Sequence, residues 1–187
     1  MATSGTTAFD LSIEEIIQEA YERCGMATTS GYSLRSARTS LNLLFAEWAN
    51  RGIHLWKVSL HENTLVSGQA EYAVDSAVSD VLEAFVSTTA AGANSVNTQD
   101  VSLTKIDRSA YAALPNKLAK GQPSQYYVDR QEIPKIYLYQ APDLNTYTVL
   151  KYYVIKRIQD AGAYGNDADV VFRFLPCMVA GLAYYLA

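Results

Sequence analysis

The spacing of apolar residues changes along this chain of 187 residues, from a helical period to a strand period and back. From Ser12 to about Asn50, apolar residues recur every three or four positions, as in amphipathic helices. From Leu55 onward they alternate with polar residues over short stretches, as in β-strands. A helical pattern returns near Val170 and continues to Ala187. This order predicts an α+β fold in which an N-terminal helical hairpin packs with a C-terminal helix and an antiparallel β-rich lobe is inserted between them.

Local signals define the ends of the first two helices. Ser12 and Glu15 form a capping box at the start of the first helix, and Gly25 ends it. The second helix is predicted over about residues 33–50, and a turn at 27–32 makes an antiparallel hairpin. The apolar stripes are Ile13, Ile16, Ile17, Ala20, Tyr21 and Cys24 in the first helix, and Leu34, Ala37, Leu41, Leu44, Phe45 and Trp48 in the second.

The middle of the chain predicts strands. A turn at Ser67–Gln69 indicates that the first two strands form a hairpin, and Asp107 caps a short helix that ends before Pro115. Asp169 is expected to cap the last helix. The predicted strands span about 55–66, 70–74, 80–88, 101–106, 125–130, 135–140 and 146–158. The predicted lobes are a helical one, of residues 1–54 and 165–187, and a β-rich one, of residues 55–164, with the short helix near 107–114.

Charge and cysteine content restrict the classes of function. The net charge is −4 and the isoelectric point is about 5.1, whereas nucleic-acid binders of this size are usually basic on one face. The two cysteines, Cys24 and Cys177, have no metal or disulfide spacing, which fits a protein made in a reducing cytoplasm. Residues 1–9 lack the pattern of a signal peptide, and the apolar stretch 174–187 is too short to cross a membrane.

The residue types that carry catalysis or bind metals do not form a recognisable set. His54 and His61 lie seven positions apart across a predicted strand, so they point to opposite faces and are expected to be surface or partner-contact histidines. Cys24 has no histidine in motif context, and the loop around Asp167 and Asp169 lacks the repeated oxygen ligands of a calcium loop. The sequence therefore predicts a protein that is not an enzyme and has no cofactor or metal site.

Tyrosine is abundant, with 14 residues, and is concentrated in the second half of the chain. Adjacent tyrosines on a strand face opposite sides, so one ring of each pair must lie outside the core. The outer ring either covers the surface of its own sheet or meets a neighbouring subunit, since tyrosine offers a large contact area with a polar tip. We expect contacts with neighbouring subunits or with a partner protein among Trp56, Tyr126, Tyr127, Tyr137 and Tyr139.

The order of several segments resembles a known family. A capped helix is followed by the second helix with the sequence SLRSARTSLNLLFAEW (33–48), then by Asn50-Arg51-Gly52-Ile53-His54-Leu55-Trp56 and a turn at Gly68. Gly121-Gln122-Pro123 and Gln140-Ala141-Pro142-Asp143 come later. This order resembles the head-to-tail adaptors of short-tailed bacteriophages, namely tail tubular protein A and the tail accessory (head completion) proteins.

The resemblance implies a structural virion protein at the head-to-tail junction. It implies a ring, expected to be dodecameric, that lies between the portal protein and the tail nozzle and lines the DNA conduit. The implied partners are other copies of the chain, the portal, the nozzle or tail tubular protein, a tail fibre, and DNA that passes without sequence-specific binding. The resemblance implies neither enzyme activity nor a membrane partner.

Three alternatives remain open from the sequence. A β-rich tail or baseplate module could recognise a surface glycan, with exposed tyrosines stacking on the sugar rings. A hydrolase is less well supported because the sequence has no paired nucleophile and base. The basic residues near the tyrosines (Lys117, Lys120, Arg130 and Lys135) also resemble a single-strand binding surface, but the cluster is small and the chain is acidic.

Overall fold

The structure is a computed structural model that describes residues 5, 9–26, 31–90 and 98–187. The chain divides into two compact units, Met1–Trp56 with Ile158–Ala187 and Lys57–Arg157. The helices are α1 (Ile13–Arg23), α2 (Gly31–Asn50), α3 (Arg108–Ala113) and α4 (Leu175–Leu186), with 3-10 turns at Leu55–Lys57 and Phe172–Phe174. The strands are β1 (Val58–Thr64), β2 (Glu71–Ala73), β3 (Val78–Ser87), β4 (Asp100–Ser102), β5 (Thr104–Lys105), β6 (Lys120–Gly121), β7 (Gln125–Asp129), β8 (Lys135–Tyr139), β9 (Ala141–Pro142) and β10 (Val149–Lys156). The predicted α+β class is confirmed.

In the first unit α1, α2 and α4 share one apolar core. The predicted stripes of α1 and α2 are buried in it, apart from Cys24, Leu34 and Trp48, which are half-buried. The Tyr21 hydroxyl donates to the carbonyl of Ser33 at 3.0 Å, so the end of α1 lies beside the start of α2. Helix α4 approaches α2 closely at Gly181, where an added Cβ would lie 3.0 Å from a methyl carbon of Leu44. The segment from Ile158 to Ala161 also packs into this core.

The helix ends agree with the sequence in α1 and differ in α4. The capping box is present, since the Ser12 amide donates to Glu15 Oε2 at 2.8 Å and the Glu15 amide donates to Ser12 Oγ at 3.3 Å. Gly25 follows α1 with a φ of +70°, as expected for a helix end. The predicted cap at Asp169 is wrong, because its carboxylate instead accepts the amide of Gln159 at 3.0 Å. Helix α4 begins at Leu175, where Pro176 fits the first turn because that turn needs no amide donor there.

Helix α2 begins at Gly31, two residues before its predicted start. The predicted turn at 27–32 lies outside the described residues except for its last two positions, which belong to α2. The predicted loop at 90–98 likewise lies mostly outside them.

The second unit contains two four-stranded sheets that enclose one core. The first sheet has the order β1-β10-β3-β4 and is antiparallel throughout. The second has the order β2-β8-β7-β5, in which β5 is parallel to β7. A parallel pair, β6 and β9, lies outside both sheets. Large residues that fill the core are Val81, Val86, Tyr126, Ile136, Leu138, Leu150, Tyr152 and Val154.

The predicted hairpin around Gly68 is wrong, because β1 pairs with β10 and β2 pairs with β8. The turn exists, with a φ of +79° at Gly68, but the Gly68 amide donates to the carbonyl of Pro142 at 2.8 Å. The turn therefore carries the chain from one sheet to the other, which lets Tyr72 enter the shared core. The predicted strand at 101–106 also divides between the sheets, as β4 and β5, around the buried Leu103.

Candidate interaction surfaces

Tyr126 is not on the surface. Its side chain is 1% exposed, and its hydroxyl donates to the carbonyl of Leu82 at 3.3 Å. Leu82 lies at an irregularity where β3 has one residue more than β10, which turns that carbonyl toward the core. Burial raises the pKa of Tyr126 to about 12, so the phenol stays protonated. The ring of Tyr126 holds the two sheets together and is not free to meet a partner in this fold.

Trp56 is half-buried within the first unit. Its ring centroid lies 4.8 Å from that of Phe174, and its indole N–H donates to the carbonyl of Asp169 at 3.3 Å. Both contacts hold the Trp56 side chain against the segment that precedes α4. The main role visible for Trp56 is therefore internal packing.

Tyr127 and Tyr137 lie on the outer face of the second sheet, where Tyr111 of α3 joins them. The ring centroids are 5.5 Å apart for Tyr111 and Tyr127, 5.9 Å for Tyr127 and Tyr137, and 5.7 Å for Tyr111 and Tyr137. All three rings are half-buried. Tyr139 is also half-buried and follows Tyr137 by two positions on β8, which places it on the same face.

The sequence did not point to Tyr111, although its helix was predicted. Burial raises the pKa of Tyr111, and the nearby Tyr137 and Glu71 raise it further, so its hydroxyl is neutral near pH 7. The signal that could have identified this ring is its place four residues after the Asp107 cap, on the side of a short helix that must cover a sheet.

The Gly121-Gln122-Pro123 and Gln140-Ala141-Pro142 segments meet as neighbouring strands. Lys120 pairs with Ala141 and Gly121 pairs with Pro142, so the two motifs form β6 and β9. Pro123, Ala141 and Pro142 are buried. The motifs on which the family resemblance rests therefore have a structural role in the second unit.

Three of the four cations near the tyrosines are occupied by protein groups. Lys117 Nζ donates to the carbonyls of Ala112 and Leu114 at 3.1 and 3.0 Å. The other two form ion pairs, Arg130 with Asp80 at 2.8 Å and Lys135 with Glu71 at 2.6 Å. The Lys120 side chain makes no hydrogen bond or ion pair with any residue that the structure describes. This arrangement does not form a row of cations for a nucleic-acid backbone.

The first sheet carries apolar side chains on its outer face. Leu60 of β1 lies opposite Tyr153 of β10 in the register, and both are exposed, as is Val58. Tyr153 also lies beside Phe85 of β3, with the ring centroids 6.2 Å apart. Because β1 is an edge strand, its outer backbone groups and these side chains together form a surface suited to protein contact.

The expectation of surface histidines is wrong for His54. It is buried, and neither ring nitrogen has a hydrogen-bond partner among the described residues. Burial lowers its pKa, which favours the neutral ring. His61 is half-buried on β1 with its ring 6.0 Å from that of Tyr152, and burial lowers its pKa as well.

Neither a cluster of metal-binding side chains nor a membrane-spanning helix lies in the described part of the chain. Within residues 5, 9–26, 31–90 and 98–187, no group of three or more histidine, cysteine or acidic residues is placed to hold a metal ion. No helix in those ranges combines the length and apolar character needed to span a membrane.

Comparison with known proteins gives one family. No curated protein matches the chain in sequence. The pattern of the SU10 adaptor protein family, by contrast, matches residues 12–187, which include α1, both sheets and α4. The chain therefore belongs to the SU10 adaptor protein family, the structural adaptors at the head-to-tail junction of phages.

Proposed function

We propose that this protein forms a homo-oligomeric ring between the portal protein and the tail nozzle, with the DNA conduit at its centre. The observation that carries the proposal is the family match over residues 12–187, because it covers both units of the chain. The structural role of that family agrees with the prediction that the protein is not an enzyme. By resemblance, the ring has twelve copies and belongs to a short-tailed phage.

The exposed apolar residues support assembly. Val58, Leu60 and Tyr153 form a patch on the first sheet of the second unit, and Phe9, Phe172 and Tyr184 are exposed on the first unit. Contiguous apolar surface on a soluble protein often marks an interface, and the centres of such interfaces are enriched in aromatic residues. A closed ring needs two different complementary surfaces on each copy, so more than one patch is required.

The charge distribution supports a conduit that does not hold DNA. Each Lys or Arg side chain that contacts a phosphate releases counterions and adds affinity that depends on salt. This chain carries a net charge of −4, and Arg130, Lys135 and Lys117 are already occupied by protein groups. We therefore expect DNA to pass without sequence-specific binding.

The proposed partners follow from the position of the ring. Neighbouring copies form the wall, the portal lies on one side, and the tail nozzle or tail tubular protein lies on the other, with a tail fibre as a further candidate. A glycan-binding module is less well supported, because Tyr111, Tyr127 and Tyr137 stack on one another and leave less ring area for a sugar. Binding of the isolated monomer to a glycan array would favour that alternative.

The direct test mixes the purified protein with the portal protein of the same phage. Negative-stain electron microscopy and native mass spectrometry then measure whether copies add to the portal as a ring. We expect a collar whose mass equals the portal plus a whole set of adaptor copies. A portal that stays bare under conditions in which both proteins are folded would contradict the proposal.

A further inference from the structure

An apolar groove of about 390 Å³ lies on the surface of the first unit. One side of it is formed by Leu11 and the start of α4, with Leu175, Pro176 and Val179. Phe9 lies at the groove and is 65% exposed, so an aromatic ring there remains largely in contact with water. Covering this surface with another apolar side chain would remove apolar area from water, which is energetically favourable.

The opposite side of the groove is formed by α1 and is acidic. It carries three glutamates, one glutamine and one arginine. Glu15 Oε2 accepts a hydrogen bond of 2.8 Å from the Ser12 amide, and Glu19 forms an ion pair with Arg23 at 2.9 Å. The Glu22 side chain is exposed and makes no hydrogen bond or ion pair with any residue that the structure describes. The groove therefore has an apolar side, formed by Leu11 and the start of α4, and an acidic side, formed by α1, which carries the unpaired Glu22 carboxylate.

The second unit presents a side chain of matching chemistry. Leu118 lies in a tight turn closed by a hydrogen bond of 3.0 Å from the Ala119 amide to the Asn116 carbonyl, and it is 70% exposed. Lys117 fixes the turn to the end of α3 through the carbonyls of Ala112 and Leu114. A turn held in this way loses little conformational freedom when it binds.

Free positive charge accompanies Leu118. Lys120 follows it by two positions and is exposed, and its ammonium group has no hydrogen-bond or ion-pair partner among the described residues. An apolar tip that is followed two residues later by an exposed lysine is complementary in charge and character to the groove with its free Glu22 carboxylate.

We propose that the groove of one copy receives the Leu118 turn of the neighbouring copy in the ring. Leu118 covers the apolar side of the groove, and Lys120 lies near Glu22 on the acidic side. The contact joins two different surfaces, so it can repeat from copy to copy until the ring closes. This inference rests on the proposed ring and names the surfaces that build it.

Disulfide trapping tests the contact. In a Cys177→Ser background, which removes an exposed native thiol, Gln18→Cys places a thiol at the groove and Leu118→Cys places one on the turn. Mild oxidation of the ring assembled on its portal is expected to give a ladder of cross-linked multimers on a non-reducing gel. The matched control pairs Gln18→Cys with Ile133→Cys. Ile133 is an apolar residue of the same unit as Leu118 and is 56% exposed. It is expected to give no ladder.

Charge exchange gives a second readout that needs no cysteine. Glu22→Lys alone is expected to weaken adaptor association in the portal mixture about fivefold, the size of a partly exposed ion pair. Glu22→Lys combined with Lys120→Glu is expected to restore it.

The outcomes separate this inference from the proposed function. A ring on the portal that gives no ladder, or the same ladder with Ile133→Cys, overturns the Leu118 contact and leaves the ring standing. Failure of the unmodified protein to form any ring with its portal overturns both.

Discussion

The side chain of Gln140 fills the space beside Gly121 in which a larger residue would carry its Cβ atom. An ideal Cβ built on Gly121 would lie 3.0 Å from Gln140 Cδ and closer still to its Oε1. The two residues belong to the motifs that pair as β6 and β9. The glycine and the glutamine in these motifs are therefore complementary in space.

Gly121→Ala is expected to lower the free energy of unfolding by about 1 kcal/mol, at the low end for an overpacked site because the Gln140 side chain can move. Urea denaturation measures the change. The double variant Gly121→Ala with Gln140→Ala removes the clash and is expected to recover most of the loss. A double variant that is as unstable as the sum of the two single variants would show that the contact does not matter.

Asp80 connects the two sheets. Its carboxylate accepts two hydrogen bonds from Arg130 at 2.8 and 3.0 Å, and Lys105 Nζ lies 3.3 Å from both oxygens. Burial raises the pKa of Asp80, but Arg130 and Lys105 outweigh it, so the net pKa is below the ordinary 3.8. A carboxylate with a lowered pKa stabilises the fold above pH 3.8, and this stabilisation disappears as the pH falls through the folded-state pKa.

Asp80→Asn is therefore expected to destabilise the protein by about 1 kcal/mol at pH 7, a modest value because Arg130 is largely exposed to solvent. The difference from the unmodified protein should shrink as the pH is lowered below 3.8. Thermal unfolding across a pH series checks this, with the exposed Asp160→Asn as control. A difference that does not depend on pH would contradict the role given to the charge.

Ser12→Ala removes half of the capping box at the start of α1. We expect a loss of about 1 kcal/mol in the free energy of unfolding, typical of a lost N-cap. The pKa of Glu15, which hydrogen bonds from Ser12 hold below its ordinary value, should rise in the same variant and can be followed by NMR. Ser36→Ala on the exposed side of α2 is the control and should leave both quantities nearly unchanged.

Tyr127→Ala tests the predicted subunit contact on the second sheet. If Tyr127 contacts a neighbouring subunit, the amount of ring formed on the portal should fall, while Tyr127→Phe, which keeps the stack on Tyr111 and Tyr137, should preserve it. Native mass spectrometry measures the ring, and circular dichroism confirms that the variants are folded. A full ring from folded Tyr127→Ala protein would remove this residue from the interface.

The parts of the fold that depend on neighbours in sequence could be predicted. The capping box of Ser12, the helix end at Gly25 and the cap of α3 by Asp107 are all set within a few residues, and the structure confirms them. The alternation in β10 likewise required one of Tyr152 and Tyr153 to leave the core, and Tyr153 is the exposed one.

The pairing of strands could not be predicted in the same way. Alternation shows that a strand has two faces, but the partner of β1 is β10, about ninety residues away in the chain. The same limit applies to the candidate site. The pair Tyr126 and Tyr127 had to place one ring inside, and only the packing of the second sheet decides that Tyr126 is the buried one.

The central claim is a ring at the head-to-tail junction, and a cryo-electron microscopy reconstruction of the virion neck tests it most directly. We predict density between portal and nozzle into which symmetric copies of the helical unit and the β-rich unit fit, around an open channel. Finding that position filled by another protein, with this chain elsewhere in the virion or absent from it, would contradict the account.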